Sequence, residues 1–147
     1  MSIGALIQAY ITGQPAAKRD DLQALDRLIR RVSPECRLWF LDGTNEDGRT
    51  VANPNIGYGS QTITYAGGRA RDFYRIGLSA NTGGISIYII GLEDKMYLAR
   101  ALGTKLGKAS VTGYCIKFRA LGDIDLDVLA DVIRFGFTRP DTATPST

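Results

Sequence analysis

The stretch from Leu106 to Ile133, LGKASVTGYCIKFRALGDIDLDVLADVI, constrains the fold more than any other part of the chain. A glycine-rich basic turn leads into a short apolar run, Tyr114-Cys115-Ile116-Lys117-Phe118, which reads as a strand. A tight connection follows, and a helix is expected to open on Asp123 as its N-cap, with further aspartates in the first turn where the helix dipole favours them. Leu126, Leu129, Ala130 and Ile133 then recur on one helical face. Strand, turn and amphipathic helix agree with one another along one unbroken segment.

The residues before it supply the rest of a layered domain. Ile3, Leu6, Ile7, Tyr10 and Ile11 predict a helix over residues 2–12, ended by Gly13 and Pro15. A second helix is expected from Asp20 or Asp21, with Leu22, Leu25, Leu28, Ile29 and Val32 on its apolar face. Arg27, Arg30 and Arg31 fill its last turns, and Ser33-Pro34 stops it. Cys36 to Leu41 reads as a first strand, and residues 42–55 as a surface loop. Period-two alternation then predicts three strands in a meander: one around Ile63 and Tyr65, one from Asp72 to Ser79, and one from Ile85 to Ile90. Turns at 66–69 and 81–84 would join them. Leu92, Met96, Ala99 and Leu102 place a middle helix between Gly91 and Gly103. The expected fold class is α+β, an antiparallel sheet with flanking N-terminal, middle and C-terminal helices on one face. Residues 1–138 would form one domain, and residues 139–147, RPDTATPST, a frayed tail.

The composition excludes several functions. No histidine occurs among the 147 residues, which removes His-based acid–base chemistry, Ser-His or Cys-His nucleophiles, and His-ligated metals. Cys36 and Cys115 form no CxxC pair and read as reduced thiols. No apolar run reaches the roughly 18 residues of a membrane span, and MSIGALIQAY lacks the basic region of a secretory signal, so a cytoplasmic location is expected. The net charge of +3 is unevenly placed. Residues 51–119 carry nine basic and three acidic side chains, and residues 120–147 carry two and five. Nucleic-acid binding calls for a stronger bias and is not expected. Arg69, Arg71 and Arg75, interleaved with Phe73 and Tyr74, read as the solvated face of a strand.

Two blocks resemble the YdhG-like superfamily, small bacterial domains of unknown function. The first is Ile56-Gly57-Tyr58-Gly59 with Gly68-Arg69, Phe73-Tyr74 and Gly77-Leu78. The second is Leu106-Gly107-Lys108, Cys115-Ile116, Phe118-Arg119, Leu121 and Asp123-Ile124-Asp125-Leu126. Ser79-Ala80-Asn81-Thr82 stands where many members carry a Ser-Pro-Arg-Lys-like segment, and Thr112-Gly113 where many carry a second Gly-Lys. The resemblance spans residues 6–133 and implies a frataxin-like sandwich. One branch of the superfamily is described as an intracellular iron chaperone.

These readings nominate two sites. Gly57, Tyr58, Gly59, Arg69, Tyr74 and Lys108 are candidate ligand-binding residues, because glycines permit close backbone approach and the cations suit a small anion. Asp123, Asp125, Asp127 and Asp131 are candidate metal ligands, and iron is the cation that the resemblance suggests. The run GTKLGKA departs from a phosphate-binding loop in its spacing and places Ala109 where a hydroxyl belongs. No cofactor and no catalytic residue are expected. The functional expectation is a small cytosolic binding module for an unidentified ligand or protein partner, with self-association as a further reading. The alternatives are an iron chaperone and an enzyme using lysine or carboxylate chemistry on a small anion.

Overall fold

The computed structural model describes residues 2–139. Helix α1 spans Ile3–Thr12 and is capped by Ser2, whose hydroxyl accepts from the amide of Ala5 at 3.1 Å. Helix α2 spans Ala16–Val32, four residues earlier than Asp20. Pro15 sets the entry with a φ already near the helical value, and Ala16-Ala17-Lys18-Arg19 are strong helix formers, so no polar cap is needed.

The strands are β1 (Leu38–Leu41), β2 (Asn55–Tyr58), β3 (Gln61–Thr64), β4 (Ala70–Phe73), β5 (Ile76–Asn81) and β6 (Gly84–Ile89). Helix α3 (Tyr97–Leu102), β7 (Ser110–Thr112) and β8 (Cys115–Phe118) follow. A 3-10 turn at Leu121–Asp123 leads into α4 (Leu126–Thr138). Six strands form one antiparallel sheet in the order β1-β2-β5-β6-β8-β7, and β3 pairs only with β4. The α+β class and the flanking helices are therefore as the sequence indicates.

The three-strand meander is not. The expected strand from Asp72 to Ser79 breaks at Tyr74-Arg75, so β3 and β4 make a separate hairpin while β5 pairs with β2 and β6. Strand β2 starts at Asn55, the last residue of the expected loop, and continues through Ile56-Gly57-Tyr58, where no strand is expected because the glycine and asparagine hide the alternation. The middle helix shrinks to six residues, and β7 has too few apolar positions to register. Asp125, not Asp123, caps α4, its Oδ1 accepting from the amides of Asp127 and Val128 at 2.9 and 3.2 Å. The tail expected at residues 139–147 lies outside the described residues from 140 onward.

One face of the sheet carries the core. Ile56, Tyr58, Ile76, Leu78, Ile85, Ile87, Ile89 and Ile116 are fully buried with Ile7 and Ile11 of α1, Leu22, Leu25 and Ile29 of α2, and Leu129 and Ile133 of α4. Each such aliphatic side chain contributes about 1.5–3 kcal/mol by leaving water. Gly136 lets α4 close onto the sheet, since a Cβ there would stand 2.5 Å from Ile76.

Candidate functional site

The other face of the sheet carries no helix, and its character follows from strand register. Residues paired across neighbouring strands share a face, so Trp39, Gly57, Gly77, Tyr88, Cys115 and Thr112 form one transverse row through all six strands. Two adjacent glycines in the middle of that row leave a depression. The ring of Tyr74 fills it: a Cβ on Gly57 would lie 2.3 Å from its Cδ2, and one on Gly77 would lie 2.8 Å from its Oη. The close approach that Gly57 permits is therefore to a side chain of the same protein.

Tyr74 reaches this seat because the chain leaves the β4 line there. Its carbonyl, off the main ladder, accepts from Gln61 Nε2 at 3.0 Å, and the same nitrogen donates to the carbonyl of Ile90 at 3.0 Å. Gln61 is buried and pins the crossover. Phe73 stacks on Tyr74 with centroids 4.2 Å apart, and Trp39 meets Phe73 edge-on at 6.1 Å. The Arg71 guanidinium lies 4.4 Å over Phe73 and that of Arg37 lies 3.9 Å over Trp39. Tyr88 and Tyr114 pair at 5.9 Å on the far side.

Between these rings lies a cleft of about 480 Å³, lined by Phe73, Tyr74, Tyr88, Tyr114, Ile90 and the segment Ala52, Asn53 and Asn55. None of the lining side chains is charged. Tyr114 is 54% exposed at the rim, whereas Tyr74 at the base is 4% exposed. Asn55 Nδ2 donates to the carbonyl of Asn53 at 3.3 Å, while its Oδ1 is buried and makes no hydrogen bond. An orphaned acceptor of this kind is costly, because water is lost without replacement.

Tyr74, Tyr88 and Cys115 are held neutral by burial. Burial pushes the Tyr74 phenol far above its usual range, with smaller contributions from Tyr88 and Tyr114. Burial also raises Tyr88 and Cys115, against hydrogen bonds from Ser86 that act the other way. The same cause raises Cys36. The cleft thus presents protonated tyrosines beside an undissociated thiol, which suits contact and hydrogen bonding but supplies no ready base or nucleophile at neutral pH.

Of the residues nominated for a ligand, Gly57 and Tyr74 are brought together. Tyr58 faces the helices: it is fully buried, and its Oη donates at 2.6 Å to Asp26 Oδ1, which also accepts from Arg30 Nε at 3.1 Å. Burial and the Asp26 charge hold that phenol well above its ordinary value. Gly59 sits in a turn at φ +81° beside Phe137, and Arg69 is exposed on the β3–β4 turn. Lys108 is exposed, and its amide donates to the carbonyl of Asp123 at 3.0 Å. The amides of Lys105, Gly107 and Ala109 likewise donate to carbonyls of the same segment, so this loop offers few free N–H groups to an anion. Neither Arg69 nor Lys108 lines the cleft.

The aspartates are engaged separately. Asp125 caps α4, Asp131 pairs with Arg134 at 2.9 Å, Asp123 ends the 3-10 turn, and Asp127 is exposed on the first turn of the helix. Among the described residues, no group of three or more carboxylates or thiols is placed to hold a metal ion.

Comparison of the chain with protein-family models, with curated proteins and with solved structures found no match. Sequence reasoning missed Gln61, Asn55, Tyr88 and Tyr114 as a group. Gln61 and Asn55 carry no periodic signal, and the two tyrosines become neighbours only through the β6–β8 register.

Proposed function

We propose that this protein is a YdhG-like, intracellular binding module that takes a small, uncharged, planar molecule on the helix-free face of its sheet. One observation carries the reading: the 480 Å³ cleft is walled by four aromatic rings and lined by no charged side chain. Flat aromatic walls favour a flat ligand, which gains stacking and area burial with little ordering cost. The two asparagines and the protonated tyrosines supply the polar contacts that would fix its orientation. The anion expected from Arg69 and Lys108 does not suit such a lining. The protonated state of the tyrosines and of Cys115 favours binding over turnover.

The test is protein-observed NMR with a panel of neutral mono- and bicyclic heteroaromatic compounds, alongside benzoate and inorganic phosphate as anions. Saturable shifts at Asn55, Tyr88 and Tyr114 are expected from neutral compounds, unaffected by added salt and lost in Tyr88→Ala. Shifts from the anions alone, or none at the cleft from any compound, would remove the proposal.

A further inference from the structure

A second concavity lies on the opposite side of the core, between the outer surface of α2 and the start of α4. At about 590 Å³ it exceeds the sheet-face cleft. Leu28, Leu121 and Leu126 give it an apolar floor, and Arg27, Arg30 and Arg31 line its α2 side. The floor is fixed, because the amide of Leu121 donates to Asp21 Oδ2 at 3.0 Å and ties the 3-10 turn to α2. Leu126 is 43% exposed although it opens an amphipathic helix.

The three arginines are not equivalent. Arg30 is held by Asp26, the carboxylate that also accepts from Tyr58. Arg27 and Arg31, at i and i+4, are exposed and make no ion pair among the described residues. Like charges at that spacing repel. The helix dipole accounts for Arg30 and Arg31, which occupy the last turn of α2, but its influence does not extend to Arg27. Two exposed cations without an ion-pair partner among the described residues therefore border an apolar trough, and Leu126 of its floor stands in the chain between the N-cap Asp125 and the first-turn Asp127 of α4.

We propose that this groove docks an amphipathic helix of a protein partner, apolar on one face and acidic along one flank. Its apolar anchors would enter between Leu28, Leu121 and Leu126, and its carboxylates would meet Arg27 and Arg31. Asp125 and Asp127 repel the acidic flank, so the charge pattern selects one orientation. A lipid surface fits less well, because the apolar groups lie in a trough and only Leu126 projects.

The probe is a synthetic peptide of about 14 residues with Leu at i, i+3, i+4 and i+7 and Glu along one flank, compared with a scrambled peptide of the same composition. Binding is followed by fluorescence anisotropy and by NMR shifts on the intact protein. The expected result is saturable, salt-sensitive binding with shifts at Arg27, Leu28, Leu121 and Leu126, weakened about tenfold or more in Arg27→Glu/Arg31→Glu. Both positions are exposed, and an unchanged melting temperature shows that the variant is folded. Equal binding of the scrambled peptide, or insensitivity to the charge reversal, overturns the proposal. So does Arg-dependent binding to vesicles containing anionic phospholipid in place of the peptide. A dimer by light scattering that the double variant dissociates would assign the groove to a second copy and overturn it equally.

Discussion

At the scale of single residues, Gly57 shows how a correct physical signal can have an unforeseen cause. Glycine in a strand weakens it unless something must come close, and here the Tyr74 ring lies where a Cβ would stand. Gly57→Ala is expected to destabilise the protein by roughly 1–3 kcal/mol, the usual cost of overpacking. In a Tyr74→Ala background the same change becomes neutral or slightly stabilising, since alanine is less costly to order than glycine. Urea unfolding of the four proteins in this cycle measures the coupling, and equal effects in both backgrounds would show that the ring does not occupy that seat. Neighbouring Tyr58 makes the complementary point. Its aromatic-glycine setting makes it a candidate ligand-binding residue, yet period two turns it toward α2, where Asp26 accepts from its hydroxyl.

At the scale of elements, the long periodic segments were legible and the short ones were not. Helix α2 and strand β6 have enough apolar repeats to declare themselves, whereas β5 is read in sequence as one strand with part of β4, β7 has three residues and α3 six. Caps fall between these cases. Asp123 and Asp125 both precede α4 and look alike in sequence, and the 3-10 turn at Leu121–Asp123 decides between them by shifting the helix start to Leu126. Asp125→Ala is accordingly expected to cost about 1 kcal/mol, while Asp123→Ala changes stability by no more than about 0.5 kcal/mol. Thermal melts of the two variants separate the assignments, and a larger loss in Asp123→Ala would reverse them.

At the scale of the whole molecule, the absence of histidine and the burial of tyrosine set the pH behaviour. Tyr58, Tyr74 and Tyr88 have folded-state values above their ordinary 10.0, and Cys36 and Cys115 lie above 9.0. The folded chain thus keeps protons that the unfolded chain releases, so the unfolded state binds fewer protons and stability falls with rising pH. The decline begins near pH 9 and steepens above about pH 10, by at most about 1.4 kcal/mol per pH unit for each group. Melting temperatures taken from about pH 7 to pH 11 should be flat at first and then drop. A midpoint still constant at about pH 11 would contradict the burial of these phenols.

The sequence by itself determined the class of fold, the one-sided helical layer and the exclusion of histidine chemistry. These rest on composition and on periodicity along the chain, which are local properties. The tertiary structure alone decided that Tyr74 lies across Gly57 and Gly77, that Gln61 holds the crossover, and that Tyr88 and Tyr114 meet Phe73 around one cleft. It also separated Lys108 and Arg69 from that cleft and dispersed the four aspartates among a cap, a surface ion pair, a turn and an exposed helical position. Which faces meet depends on strand register and on where a strand breaks. Both are fixed by pairings between residues distant in the chain, and no local pattern encodes them.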